Sequence, residues 1–246
     1  MPTPPYAQPG DHRTVIVGHY DRRHQAWNLF EQVNAIRMFM DDGRLGAGPN
    51  HLNAWQWLST HNLREWSVVL EDDALPVPGF EDQVRRALAQ APTPVVSLYL
   101  GRSRPPHWQD SIARVIADPA DPCWLMSDHL LHHVGVAVKT RVLPEMVDSV
   151  HRILNKYPID EAIGRWAHLK RVPIAYTNPS LVDHRWDQLS VIKWRAHNGE
   201  EDLVEREVDT KNPRKAWRVG GRTNWESSRL EIPNPMSIGN GYYSSF

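Results

Sequence analysis

Three consecutive carboxylates end a short apolar segment of the sequence. Glu71, Asp72 and Asp73 directly follow the run Ser67–Leu70 in the stretch "SVVLEDDALPVPGF". Adjacent acids repel one another, so such a cluster requires a cation or an array of hydrogen-bond donors that offsets the repulsion. The pattern suits a hard divalent cation, which binds carboxylates and keeps open positions for phosphate oxygens.

The spacing of the three acids predicts how they point. Alternate side chains share a face along a strand, so we expect Glu71 and Asp73 to face one cleft and Asp72 to face elsewhere. In open α/β sheets ligands bind at the carboxyl ends of the strands, where this cluster lies. Two simpler interpretations stay open: the acids are solvated at a strand end, or Asp73 caps the helix that follows.

The chain has the bulk properties of one α/β domain. Its 246 residues and 41% hydrophobic content allow a substantial core, and its net charge of −1 gives no global attraction to nucleic acid or an anionic membrane. The single cysteine, Cys123, excludes an intramolecular disulfide and favours a reducing setting. No stretch approaches the ~20 apolar residues that span a bilayer. We therefore expect a soluble, cytoplasmic protein with no obligate protein partner.

The elements that must position the acids follow a strand–helix rhythm. Strands are predicted at Thr14–Gly18, Trp66–Asp73, Pro94–Gly101, His132–Thr140 and Val172–Thr177. Helices are predicted at about His24–Met40, Pro49–Asn62, Gly79–Ala91, Val142–Leu154 and Ile159–Leu169. The stretch from about Arg104 to Asp128 reads as a loop. This rhythm predicts an α/β fold with a mixed, mostly parallel sheet and helices on both faces.

Composition divides the chain into three parts. Residues 1–13 form a proline-rich leader, residues 14–190 the α/β domain, and residues 191–246 a polar, charge-rich extension. The extension contains tryptophans that are costly to leave in water, so we expect it to pack on the core. Its interleaved Lys211, Arg214, Trp217 and Trp225 suit either a solvated tail or a surface that binds nucleic acid.

Residues 48–80 resemble the core of the family 25 glycosyltransferases, the group that includes lipooligosaccharide and collagen galactosyltransferases. The residues that carry the resemblance are Gly48, His51, Trp55, the Leu70–Asp73 motif and Phe80. The sequence departs from the family at Asn50, where the family usually has serine. Weaker matches in the same order extend the resemblance over about residues 14 to 184.

This resemblance implies a GT-A fold, which is a single Rossmann-like domain that binds a nucleotide-sugar. It implies that the acidic motif holds Mn²⁺ or Mg²⁺ on the diphosphate of a UDP-sugar, with Asp73 as the first metal ligand. Glu71 is then a second ligand or, with Asp72, lies near the ribose. His184 is a further candidate ligand, with a packed or surface histidine as the alternative.

The resemblance also assigns the residues that contact the nucleotide and the residue that acts as general base. The loop "GHYDRRHQ" offers Asp21, Arg22 and Arg23 to the nucleotide, because arginine forks onto phosphate or stacks on a base; a solvated helix start is the alternative. An inverting transfer needs a carboxylate that takes the proton of the acceptor hydroxyl. Asp160 is the first candidate and Glu161 the second, against a simple helix-capping role.

The acceptor is left open between a saccharide, a protein and a modified nucleic-acid base. Two other functions compete with a hexosyltransferase. A metal-dependent phosphoesterase or nuclease would use the same acids with two metal ions. A non-catalytic module of the same fold would bind a sugar or nucleic acid without turnover, and it predicts a disrupted acidic motif, whereas this one is intact.

Overall fold

The computed structural model describes residues 8–185, 187 and 213–235. The helices in this part of the chain are α1 (Arg23–Gln32), α2 (Ala47–His61), α3 (Phe80–Ala89), α4 (Gln109–Ile116), α5 (Leu143–Ile153) and α6 (Ile159–Leu169). The strands are β1 (His12–His19), β2 (Arg37–Asp41), β3 (Trp66–Glu71), β4 (Ala74–Pro76), β5 (Val95–Ser97), β6 (Trp124–Ser127), β7 (Gly135–Lys139), β8 (Ile174–Thr177), β9 (Val182–His184) and β10 (Arg229–Glu231).

Eight of these strands form one mixed sheet in the order β10-β6-β8-β5-β7-β3-β1-β2. The pairs β1–β2, β1–β3, β5–β8 and β6–β10 are parallel, whereas β3–β7, β5–β7 and β6–β8 are antiparallel. Strands β4 and β9 form a separate antiparallel pair beside the end of β3. The carboxyl ends of β1, β2 and β3 therefore meet at one edge, where a ligand binds in folds of this kind.

Both faces of the sheet are covered by helices. Val15 and Val17 of β1 belong to one core cluster and Ile16 to the other, because alternate side chains of a strand point to opposite faces. Helices α2, α4, α5 and α6 pack on the first face, and α1 and α3 pack on the second. The predicted fold class, a Rossmann-like α/β fold with a mixed sheet and helices on both faces, is confirmed.

Two predicted elements are wrong. The helix expected at His24–Met40 ends at Gln32, and a parallel edge strand, β2, follows. Asn34 breaks the helix in a left-handed conformation with φ of 47°. The apolar residues 36–40 fit helical spacing but also fit strand alternation, since Phe39 packs in one cluster and Met38 and Met40 pack against the other.

The segment expected as a loop from Arg104 to Asp128 contains α4 and β6. Ile112 and Val115 bury one face of α4, and all four residues of β6 are buried. The turn-forming residues that suggested a loop are confined to a few positions before Cys123. They lie between the short helix α4 and the short strand β6, and neither element was predicted.

Residues 213–235 lie against the domain. Strand β10 extends the sheet beside β6. The Trp225 indole is buried 5.5 Å from the ring of Trp124, and its N–H donates to Gln83 Oε1 at 3.2 Å. Lys211 lies outside the described residues. None of the helices in the described ranges has the length and hydropathy to cross a membrane.

Candidate active site

A buried arginine joins two of the three acids. Arg22 Nη1 donates to Asp72 Oδ1 at 3.1 Å and to Asp73 Oδ2 at 2.8 Å. Arg22 and both aspartates are buried, so the attraction is little screened by water. Asp72 Oδ2 also accepts the backbone N–H of His19 at 2.8 Å. The Arg22 guanidinium is thus a cation that offsets the repulsion between the adjacent carboxylates.

The predicted facing of the acids is wrong, because β3 ends at Glu71 and the next two residues form a turn. Strand alternation therefore stops before Asp72, and it is Asp72 and Asp73 that share a partner. Gly18 makes room for this turn: a Cβ at that position would lie 2.8 Å from Asp72 Oδ2 and 2.9 Å from Asp72 Cβ. The close approach of β1 to the acidic turn requires glycine there.

The two aspartates titrate differently. Burial, together with the neighbouring charge of Asp73, raises the pKa of Asp72 to about 6 against the attraction of Arg22. Burial also opposes ionisation of Asp73, but the hydrogen bond and charge of His184 and the charge of Arg22 hold its pKa below the ordinary value. Asp73 is the aspartate that stays ionised, as a metal ligand must.

His184, at the end of β9, lies beside Asp73. Its Nε2 is 3.5 Å from Asp73 Oδ2, and that carboxylate raises the pKa of His184 against the effect of burial. Asp73 Oδ1 and His184 Nδ1 are buried without a hydrogen-bond partner among the described residues. An unpartnered carboxylate oxygen beside an imidazole can hold a divalent cation once the ion displaces the proton that Asp73 stabilises on His184, so these residues are compatible with the metal that the sequence predicts.

Glu71 belongs to a second polar cluster on the α2 side of β3. Its Oε1 lies 3.2 Å from His51 Nε2, and the His51 and His133 rings meet edge to face with centroids 4.4 Å apart. His51 Nδ1 lies 2.8 Å from the carbonyl oxygen of Ala47. The charge of Glu71 also raises the pKa of His184, so Glu71 acts electrostatically on both clusters.

Asp160, at the start of α6, faces the same cluster. Burial raises its pKa to about 6, with a further increase from the charge of Glu71 and a decrease from His51. Its Oδ1 accepts the N–H of Glu161 at 2.9 Å. Glu161 is only half-buried and pairs with Arg165 one turn along the helix at 2.8 Å. Asp160 thus interacts electrostatically with the cluster and has a pKa suited to a general base near neutral pH.

The three residues predicted to contact the nucleotide follow β1, and they differ in burial. Arg22 lies beneath the acids, whereas Asp21 and Arg23 are exposed. Asp21 lies 3.3 Å from His19 Nδ1, and the Arg23 guanidinium lies over the Tyr20 ring at 5.0 Å. Contact of Asp21, Arg22 and Arg23 with a nucleotide stays a prediction, and Asp21 and Arg23 are exposed to meet one, as is Tyr20.

A cavity that the sequence did not reveal opens beside this loop, at the ends of β1 and β2. It measures about 560 Å³, and its lining residues are Tyr20, Met40, Asp41, Asp42, Arg44 and Leu45. Asp41 accepts the backbone N–H groups of Leu45 and Gly46 at 3.0 and 2.8 Å. The signal was present as "MDDG", an apolar segment that ends in acids as β3 does, but the helical interpretation of residues 24–40 concealed it.

Comparisons with known proteins give only a distant likeness. No family model matches the chain, and no curated protein matches it. The solved structure of a glycosyltransferase involved in the glycosylation of the major capsid of PBCV-1 is 14% identical over 60% of this chain and 68% of its own, with a TM-score of 0.32. The structure of A197 from STIV is 11% identical over 73% of this chain and 90% of its own, with a TM-score of 0.41. At these levels neither likeness carries an argument about function.

Proposed function

We propose that this chain is a metal-dependent glycosyltransferase that moves a sugar from a nucleotide-sugar, in the first place a UDP-sugar, to an acceptor hydroxyl with inversion. The observation that carries the proposal is the arrangement at the ends of β1, β2 and β3. Asp73 there keeps a buried, unpartnered carboxylate oxygen beside His184. The family 25 resemblance of residues 48–80 also supports a metal-binding role for the acidic motif.

The nucleotide is placed in the cavity at the ends of β1 and β2. Its volume of about 560 Å³ suits a nucleotide, since ligand pockets run from about 300 to 1,000 Å³. The exposed Tyr20 ring offers a face for the base, and Asp41 and Asp42 offer acceptors for ribose hydroxyls. Gly18 approaches Asp72 of the acidic turn, and Tyr20, two positions further along the chain, lines the cavity.

Asp73 and His184 are the residues that would hold a divalent cation on the diphosphate. The chemistry that such an ion supplies when bound is Lewis-acid stabilisation of the negative charge on the leaving group. Glu71 remains a candidate third ligand, because its charge acts on His184. Arg22 neutralises the remaining aspartate charge, and this keeps the turn ordered before any substrate binds.

Asp160 is assigned the role of general base. Its raised pKa, about 6, leaves it ionised at neutral pH yet more basic than an ordinary aspartate. Glu71 and His51, which act on the titration of Asp160, connect it electrostatically to the end of β3. The acceptor hydroxyl would then approach from the α6 side, and the donor diphosphate from the β9 side.

Nucleotide binding should depend on the metal. Calorimetry with UDP is expected to show an affinity at least about tenfold higher with Mn²⁺ than without it, a gain of ~1.4 kcal/mol. Asp73→Asn should abolish this gain, because the substitution removes the charge that would hold the ion. The exposed Asp148→Asn, on α5, serves as the matched control and should retain it. Equal UDP affinity with and without Mn²⁺ in the folded wild-type protein would contradict metal-dependent binding.

A further inference from the structure

Two buried histidines and Glu71 form a compact polar cluster between α2, β3 and the segment before β7. One ligand atom from each of His51, Glu71 and His133 lies within 4.8 Å of the other two. Both histidines are 4% exposed. His133 Nδ1 has no hydrogen-bond partner among the described residues, whereas His51 Nε2 lies at ion-pair distance, 3.2 Å, from Glu71 Oε1. Buried polar atoms without partners are rare in folded proteins, and a bound ion is one of the ways in which they are satisfied.

The hydrogen bonds around His51 favour a metal-binding tautomer. Its Nδ1 lies 2.8 Å from the Ala47 carbonyl oxygen, which can only accept, so the Nδ1 proton is fixed there. Burial lowers the pKa of His51, but the hydrogen bond and charge of Glu71 raise it above the ordinary value, so an ion at Nε2 would displace the proton that faces Glu71 Oε1 at 3.2 Å. Two ligands bound at ~2.0–2.1 Å in a tetrahedral zinc site are about 3.4 Å apart, so the spacing already fits one ion. A backbone carbonyl behind the ligating histidine is the usual outer contact of such sites.

His133 supplies the third ligand. Burial, reinforced by His51, places its pKa well below the ordinary value, so the imidazole is neutral as ligation requires. The Trp55 indole N–H donates to His133 Nε2 at 3.2 Å, which leaves the Nδ1 proton buried without an acceptor among the described residues. Because Nδ1 carries the proton of the neutral ring, ligation would require His133 to exchange the long contact of Nε2 with Trp55 for an ion.

We propose that His51, Glu71 and His133 form a buried binding site for a zinc-class divalent transition metal. Two imidazoles and one carboxylate match the preference of such ions, whereas Mg²⁺ and Mn²⁺ prefer oxygen ligands. The site differs from the one assigned to Asp73 and His184, and it does not rest on the transferase activity. An ion there would tie α2 to the end of β3 and commit Glu71 to this site, which would leave Asp73 and His184 as the ligands of the other.

The test uses Co²⁺ as a spectroscopic probe of the metal-free, full-length protein. One equivalent should produce the visible absorption bands of four-coordinate Co²⁺. In His51→Gln and in His133→Gln, the apparent affinity for the ion that produces these bands should fall by about 100-fold or more. His61→Gln, which removes an exposed histidine of the same helix, is the matched control and should bind as the wild type does. His184→Gln should also retain the bands, because it changes only the other site.

Two outcomes would overturn the site. One is the absence of four-coordinate bands in the wild-type protein, and the other is bands that disappear in His184→Gln but persist in His51→Gln. X-ray absorption of the zinc-bound wild-type protein gives an answer even if the histidine variants do not fold. Scattering from two imidazoles per zinc supports the proposal, and a shell of oxygen ligands alone contradicts it.

Discussion

Replacement of Asp160 by asparagine should reduce the rate of sugar transfer by about 10²–10⁴-fold, the usual contribution of a positioned general base. Asparagine keeps the shape of the side chain and can still accept the N–H of Glu161, but it cannot take a proton. UDP affinity should be unchanged, since the proposed mechanism assigns Asp160 to the acceptor and not to the nucleotide. The loss is measured as the initial rate of donor hydrolysis. In this assay water replaces the acceptor, whose identity is open.

The pH dependence separates this role from helix capping. The wild-type rate should rise with pH to a plateau, with its midpoint near the Asp160 pKa of about 6, because only the ionised carboxylate accepts a proton. A raised carboxylate pKa means that ionisation destabilises the fold. Wild-type stability relative to Asp160→Asn should therefore decline as pH rises from about 4 through 6. The variant should melt at the same or a higher temperature at pH 8.

A capping role predicts the opposite pattern. Asp160→Asn would then be fully active, and Asp160→Ala would lose about 1 kcal/mol of stability without a specific loss of rate. Glu161→Gln distinguishes the second candidate: a large loss of rate in this variant, with an active Asp160→Asn, would transfer the role of base to Glu161. Its ion pair with Arg165 at 2.8 Å makes us expect a small effect instead.

The largest loss of stability is expected on replacement of Arg22. Arg22→Met keeps much of the side-chain volume but leaves Asp72 and Asp73 buried without their shared cation. Removal of one partner from a buried ion pair costs about 3–5 kcal/mol. Arg23→Met, at the next position, removes an exposed arginine and should change the free energy of unfolding by less than about 0.5 kcal/mol. Chemical denaturation at pH 7 measures both.

Low pH and added Mn²⁺ test whether the unpaired aspartates cause the loss of stability in Arg22→Met. At a pH well below 6 the penalty in Arg22→Met should shrink, because protonation of Asp72 removes one of the two unpaired charges. Added Mn²⁺ should restabilise Arg22→Met more than wild type if the aspartates can bind a cation. Equal stabilities of the Arg22 and Arg23 variants at pH 7 would show that the guanidinium does not hold the acidic turn.

The sequence predicted the parts of the fold whose signals are local. An unbroken apolar run placed β3 and the acids at its end, and a proline followed by acids in the first turn placed α6 at its observed bounds. Residues 36–40 misled because five residues are too few to separate helical from strand spacing. The contacts of Arg22 with Asp72 and Asp73 could not be predicted, because nothing in the local sequence indicates a partner 50 positions further along.

Contacts between distant segments also explain what was missed in the candidate site. The structure buries His51, and its neighbours Glu71 and His133 come from other elements, so its sequence context could not indicate this cluster. The raised pKa of Asp160 likewise depends on burial and on Glu71, which is distant in the chain. Burial and charge interactions of this kind arise only when the sheet brings strand ends and helix starts together. The candidate acids could be named from sequence, but their partners and charges could not.

The most direct test of the central claim is incubation of the protein with Mn²⁺ and a panel of nucleotide-sugars, with identification of the products. A glycosyltransferase site should release free sugar and a nucleoside diphosphate from one preferred donor, at a rate that Asp73→Asn abolishes and Asp148→Asn preserves. Release of sugar phosphate and a nucleoside monophosphate would instead identify a phosphoesterase. Binding of a nucleotide-sugar without turnover of any donor would identify a binding module, and either result would contradict the proposed function.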